Sequence, residues 1–141
     1  MAQVQERTWL GAEPEEVWKL VGDFVGFIEV LIADIDGARL EVEGEGIGML
    51  RRVSVGTDVA VERLEEHDDA AWRTSYSMPV TGPFPMTGYL STIQLEAVGD
   101  GECELVWTGS FEPDGVAEDV AAAEVRKVYT QGIAKLRAVF S

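Results

Sequence analysis

Two hydrophobic periods alternate along this chain, and the points where one yields to the other outline its elements. Val4 to Leu10 reads as a first strand. Gly11-Ala12-Glu13-Pro14 then leads into a helix, since a proline suits a first turn, where its missing N–H is not needed. Glu15 and Glu16 meet the positive end of that helix dipole. Val17, Trp18, Leu20 and Val21 supply its apolar contacts, and Gly22 ends it. A second short helix is expected over Asp23 to Leu31.

From Leu40 to Glu112 the period becomes two, and turn signals recur at short intervals. Strands are expected near 38–44, 47–55, 58–66, 71–78, 87–98 and 102–112. The last pair is the clearest. Ile93, Leu95 and Ala97 alternate with polar residues, as do Cys103, Leu105, Trp107 and Phe111. A two-residue Asp100-Gly101 turn would set Ile93 opposite Thr108 and mix the faces. A three-residue Gly99-Asp100-Gly101 loop sets Ile93 opposite Trp107 and Leu95 opposite Leu105, which keeps both apolar sets on one side. The longer loop is therefore predicted.

After Asp114 the period returns to 3.6, with Val125, Val128, Tyr129, Ile133, Leu136 and Phe140 on one stripe. Acidic residues near its start and Lys135 and Arg137 near its end both suit the dipole. A helix of about 25 residues with one apolar side needs a broad surface to cover, and one curved sheet is the only candidate. The expected class is α+β: a seven-stranded antiparallel sheet curved around a long C-terminal helix, with two short helices between strands 1 and 2.

Composition narrows the function. The chain's 141 residues fit one domain spanning 1–141, and no apolar run approaches the roughly 18 residues of a membrane span. A formal charge of −15 argues against nucleic acid and anionic membrane surfaces. Cys103, the one cysteine, forms no internal disulfide, and the start has no basic and apolar leader; a cytoplasmic location is expected. The oligomeric expectation is a monomer or homodimer.

The order strand, two short helices, six strands, long helix resembles the helix-grip superfamily, also called SRPBCC or START-like. Local text agrees over nearly the whole chain. Glu13-Pro14-Glu15-Glu16-Val17-Trp18 with Gly22-Asp23-Phe24 resembles the family's opening helix, and Gly46-Ile47-Gly48-Met49-Leu50-Arg51 its third strand. Glu62-Arg63-Leu64-Glu65 with Asp68-Asp69 and Ser75-Tyr76 resembles the following hairpin. Val106-Trp107-Thr108, Phe111 and Pro113 resemble the last strand. The branch it is most similar to is the polyketide cyclase/dehydrase-like group, near the plant abscisic-acid receptors. The resemblance implies a cavity between sheet and long helix for an apolar small molecule. It does not imply one activity. The receptors' cavity lysine has no counterpart, because no lysine occurs between Lys19 and Lys127, and Gly109 stands where they carry a late acidic residue. Their gate loop is shortened to about Val55-Gly56-Thr57-Asp58.

Glu62 leads the candidates for chemistry. Simple alternation would turn Val59 and Val61 inward and Glu62 outward. A two-residue Gly56-Thr57 turn, however, sets Val53 opposite Ala60 and Arg51 opposite Glu62, with Val53 and Val55 in the inward set. The resemblance also places this glutamate in the cavity. A partly desolvated Arg51–Glu62 pair could accept a proton or anchor a polar group; the plain alternative is two solvent-facing side chains. Tyr76 and Tyr89 follow as catalytic candidates, with Ser91 on the same face as Tyr89; core tyrosines tied to water or backbone are the alternative.

Trp72, Ile93, Trp107, Val125, Val128, Tyr129, Phe84 and Phe27 are expected to line the pocket. The stiff connection Pro79 to Met86, with three prolines, is expected to flank its mouth. His67 sits in an acidic turn and reads as a surface residue, not a metal ligand, and Cys103 as a small apolar strand residue. Gly44-Glu45-Gly46-Ile47-Gly48 lacks the helix of a phosphate loop and reads as a turn and bulge. No metal or cofactor is expected. The sequence reading is a binder of a polyketide-like or polycyclic molecule that catalyses its cyclisation, dehydration or isomerisation. The alternative is a non-catalytic carrier or sensor of a hydrophobic ligand.

Overall fold

Alternating apolar positions along seven extended segments gather on one side of an antiparallel sheet, which curves around the C-terminal helix. The computed structural model describes residues 1–141. Its elements are β1 (Ala2–Leu10), α1 (Pro14–Val21), α2 (Phe24–Ile32), β2 (Ala38–Glu43) and β3 (Leu50–Val55), followed by β4 (Asp58–Asp68), β5 (Arg73–Val80), β6 (Met86–Gly99), β7 (Glu102–Pro113) and α3 (Glu118–Val139). The strand order is β1-β7-β6-β5-β4-β3-β2, so α1 and α2 carry the chain from one edge of the sheet to the other. This is the expected α+β helix-grip architecture.

The hairpin registers follow from turn chemistry. Ile93 faces Trp107, Leu95 faces Leu105 and Ala97 faces Cys103, which is the expected register. The turn, however, is the two-residue Asp100-Gly101 rather than the expected three-residue loop, and an unpaired Val98 supplies the offset. Past Ala97 the ladder slips by one residue so that Gly99 pairs with Glu102, and Gly101 takes up the left-handed turn at φ +72°. Between β3 and β4, Gly56 at φ +62° closes the tight turn, and Arg51 faces Glu62 as expected. Further slips interrupt β4–β5 and the start of β6, where the extra residue falls beside Gly88 at φ +63°. Such bulges bend strands, which lets one sheet wrap a helix.

Helix termini also follow the expected chemistry. Pro14 opens α1, Gly22 caps it, and Asp23 caps α2 by accepting from the Gly26 amide at 3.0 Å. Three elements begin two or more residues later than the sequence expectation. β3 begins at Leu50 rather than 47, because Gly44, Gly46 and Gly48 all adopt positive φ and cannot continue a strand. β5 begins at Arg73, because Trp72 sits in the preceding turn at φ +51°. α3 begins at Glu118, after a turn through Gly115 at φ +75°.

The helix buries Ala121, Val125, Tyr129, Gly132 and Leu136, while Val128, Ile133 and Phe140 are half-buried. It packs against β1, β7 and α2. Its C-terminal end is tied down where the Gly11 amide donates to the Phe140 carbonyl at 2.8 Å. The tightest contact is the stack of Trp107 on Tyr129, with ring centroids 4.4 Å apart and planes 16° from parallel. Gly132 makes room for it, since a Cβ there would lie 2.7 Å from the Trp107 ring.

Gly132→Ala therefore sets two effects against each other. Helix propensity alone favours the alanine by about 1 kcal/mol, whereas overpacking in a close-packed core costs about 1–3 kcal/mol. Urea unfolding should show a net loss of stability. A gain would mean that the Trp107–Tyr129 contact is looser than its geometry.

Candidate functional site

The helix closes on the sheet at β1 and β7 but leaves space toward β3 and β4. There a cavity of about 780 Å³ opens between α2, α3, the β3–β4 hairpin and the connection after β5. Aliphatic side chains dominate its walls: Ile28, Leu31 and Ile32 from α2, Val53 and Val55 from β3, and Val125 and Val128 from α3. Pro83 and Phe84 reach it from the proline-rich connection. Arg51, Glu62, Tyr76 and Tyr89 form its polar wall on the sheet, and Asp34, Asp58, Gln131 and Lys135 add polar groups elsewhere in the lining.

Arg51 is the organising charge. Its side chain is only 3 % exposed, and its Nε donates to Glu62 Oε1 at 2.9 Å. Its Nη1 donates to the Phe24 carbonyl at 2.6 Å, which ties β3 to the start of α2. The guanidinium carbon lies 4.1 Å from the Phe24 ring centroid and 4.7 Å from that of Tyr76. A buried cation is costly unless it is paired and hydrogen-bonded; here a carboxylate, a carbonyl and two aromatic faces offset its desolvation. Glu62 remains 16 % exposed, and while Oε1 is held by Arg51, no protein donor meets Oε2.

Behind the tyrosines lies a closed polar cluster. Tyr129 meets the hydroxyls of Tyr89 at 2.5 Å and Ser91 at 2.9 Å. Trp107 Nε1 donates to Ser91 Oγ at 2.9 Å and, at 3.3 Å, to the Tyr76 hydroxyl. Gly109 explains how Tyr129 reaches this position: a Cβ there would lie 2.3 Å from its hydroxyl oxygen. Gly109 thus serves packing.

The structure sorts the expected pocket residues into two groups. Arg51, Glu62, Tyr76, Phe84, Tyr89, Val125 and Val128 line the cavity. Ser91, Ile93, Trp107, Tyr129 and Phe27 do not: they are buried in the packed half, with Phe27 against Trp107 at 5.6 Å between centroids. The inward direction of Ser91, Ile93 and Trp107 follows the expectation, but Tyr129 from α3 and Phe27 from α2 pack over this part of the sheet. Trp72 is also outside the lining, because its turn conformation removes it from the strand face.

Sequence reasoning missed the α2 residues, Met78, Met86 and Lys135. Lys135 comes from α3, where its Nζ donates to the Val30 and Leu31 carbonyls at 3.1 and 3.0 Å and pairs with Asp34 at 2.5 Å. This clip satisfies the C-terminal carbonyls of α2 at the cavity rim. Its signal was present as a basic residue on an apolar helix, but its partner lies about a hundred residues away. His67 instead bonds Asp69 at 2.8 Å and stacks on Trp18, and no three His, Cys, Asp or Glu side chains are grouped to hold a metal ion.

All three tyrosines of the chain are buried, and burial raises the ionisation of each above the usual phenol value near 10. Above pH 10 the folded protein then holds protons that the unfolded chain has lost. The stabilising contribution is complete below pH 10 and declines as pH rises beyond it, by up to about 4 kcal/mol per pH unit. Alkaline titration should show no tyrosinate absorbance until the protein unfolds, when all three appear together. Tyrosinate forming near pH 10 with the fold intact would contradict this burial.

Comparison with known proteins places this geometry in context. The sequence matches, over residues 1–141, the family described as polyketide cyclase/dehydrase and lipid transport. Among solved structures, it is similar to the protein XoxI from Bacillus cereus, with 29 % identity and a TM-score of 0.84 over 99 % of this chain and 96 % of that one. A protein from Thermobifida fusca shares 29 % identity, with a TM-score of 0.74 over 94 % of this chain and 85 % of that one. Norcoclaurine synthase from Thalictrum flavum, solved in complex with dopamine and hydroxybenzaldehyde, shares the fold at 17 % identity, with a TM-score of 0.73 over 95 % and 84 % of the two chains. None of the curated proteins matches the sequence. With the family matched from the first residue to the last, the chain belongs to the polyketide cyclase/dehydrase and lipid transport family.

Proposed function

We propose that this protein binds an apolar, polyketide-like or polycyclic molecule in the cavity and uses Glu62 to move a proton during its cyclisation, dehydration or isomerisation. The observation that carries the reading is the pairing of an aliphatic cavity of about 780 Å³ with one polar wall of Arg51, Glu62, Tyr76 and Tyr89. That volume falls within the range of about 300–1,000 Å³ usual for small-molecule sites. Kept dry, a void of that size would cost roughly 19 kcal/mol at about 24 cal/mol per Å³. A domain's whole stability is only about 5–15 kcal/mol. The space must therefore hold water or a ligand, and its aliphatic walls favour an apolar ligand over water.

The chemistry assigned to Glu62 follows from its position. One oxygen is held by Arg51, which fixes the carboxylate, and the other is left without a protein donor at the cavity wall. Tyr76 and Tyr89 keep their protons at neutral pH, as any phenol does, and burial holds them more firmly still, so their part is to orient a ligand oxygen. The same observation favours a second reading, a carrier or sensor of a hydrophobic ligand, since donors of this kind hold a molecule without transforming it. The complex of norcoclaurine synthase with dopamine and hydroxybenzaldehyde is in keeping with either reading.

Native mass spectrometry of the protein purified from its own host should reveal a small-molecule adduct that denaturation releases. With that compound in hand, Glu62→Gln should lower turnover about a hundredfold or more while changing affinity only severalfold. Unchanged turnover would remove Glu62 from the mechanism, and recovery of the compound unaltered after incubation with wild-type protein would establish the carrier. Filling the cavity from the helix with Val128→Trp should weaken binding of an apolar naphthyl ketone about tenfold or more without lowering the melting temperature. Full-strength binding by that variant would place the ligand elsewhere.

A further inference from the structure

The cluster behind the tyrosines contains more hydroxyl protons than internal acceptors, and the way that surplus is resolved bears on the cavity. Ser91, Tyr129 and Tyr89 form a chain of three hydroxyls joined by two hydrogen bonds, so one of their three protons must leave the chain at one end. The Ser91 end is closed. Its residue is 0 % exposed, and its neighbour there is the Trp107 N–H, which can only donate. A proton turned toward Trp107 would be buried without a partner, an arrangement that folded proteins avoid. Ser91 therefore donates to Tyr129, and Tyr129, itself fully buried, donates to Tyr89. The surplus proton emerges on Tyr89, which lines the cavity. The Tyr76 hydroxyl accepts from Trp107 Nε1 at 3.3 Å and lies beside Ser91, and no carbonyl or carboxylate takes its proton, so that proton also faces the cavity.

We infer that Trp107, Ser91 and Tyr129 act as positioning residues that orient the Tyr89 hydroxyl outward, so that the cavity selects ligands bearing an acceptor oxygen, such as a carbonyl, at this wall. The inference rests on the cavity-binding reading above and adds the chemistry of the ligand's polar end. Hydrogen bonds in a chain polarise one another, so each buried hydroxyl strengthens the bond that Tyr89 offers. Glu62 stands on the same wall as the acceptor, and Arg51 already donates to Glu62 and the Phe24 carbonyl, so the phenols are the place on this wall for a ligand oxygen that has no proton to give.

Two probes of nearly equal shape test this: 6-propionyl-2-(dimethylamino)naphthalene with a 13C-labelled carbonyl, and its 6-propyl analogue. Wild-type protein should bind the ketone about fivefold more tightly than the propyl compound, the worth of one neutral hydrogen bond. The infrared carbonyl stretch of the bound ketone should lie below its value in hexane. Tyr89→Phe should erase most of the preference and return the stretch toward the hexane value. Tyr129→Phe and Ser91→Ala, at positions outside the cavity lining, should move the stretch part of the way while leaving propyl binding unchanged. An unaltered stretch in Tyr89→Phe would overturn the donor assignment. A wild-type stretch in both Tyr129→Phe and Ser91→Ala would overturn the relay while leaving the donor in place. Wild-type protein that binds neither probe would remove the cavity-binding reading and this inference with it.

Discussion

The stacking of Trp107 on Tyr129 sets how far the long helix can approach the sheet, and the rest of the architecture adjusts to that distance. Two glycines allow the approach, Gly132 beneath the indole and Gly109 beneath the tyrosine hydroxyl. Because α3 is drawn tightly onto β7 and β1, its other flank stands away from β3 and β4. The cavity occupies the space left on that side. Close packing in one half and an opening in the other are thus two consequences of one contact. A larger residue at either glycine would disturb both.

Arg51 performs the corresponding task on the open side. A cation removed from water would ordinarily weaken a core. This one is met by Glu62, by the Phe24 carbonyl and by the faces of Phe24 and Tyr76, so that it joins β3, β4, β5 and α2 around the cavity. It also holds Glu62 with one oxygen committed and one free. Lys135 adds a second clip by bonding the terminal carbonyls of α2 from the helix. The cavity is therefore held by charged hydrogen bonds along its polar wall and at the end of α2, while most of its lining stays apolar.

The fold was largely legible because its evidence is local. Keeping the apolar sets together gave the β6–β7 register correctly, although a bulge at Val98 and a two-residue Asp100-Gly101 turn produce it rather than a three-residue loop. The Gly56-Thr57 turn placed Arg51 against Glu62 despite the apolar neighbours of the glutamate. Strand starts were less legible where glycine conformation decides them, as at Gly44, Gly46 and Gly48, or where a tryptophan adopts a left-handed turn, as at Trp72. The site was half legible. Inward direction could be read for Ser91, Ile93, Trp107 and Tyr129, but whether an inward residue meets a cavity or a helix depends on where α3 settles. That depth is set by Gly109 and Gly132, whose missing side chains leave no mark on a hydrophobic pattern. The α2 lining and Lys135 depend on contacts between segments far apart in sequence, and no spacing rule reaches them.

The central claim is that the molecule is closed on one side of the helix and open on the other. Methyl-resolved NMR during titration with an apolar ketone measures this directly. Shifts are expected at Ile28, Val53, Val128 and Met86, with Val4, Leu105 and Leu136 unmoved. Shifts spread evenly over both groups, or confined to exposed methyls such as those of Val42 and Ile47, would contradict it.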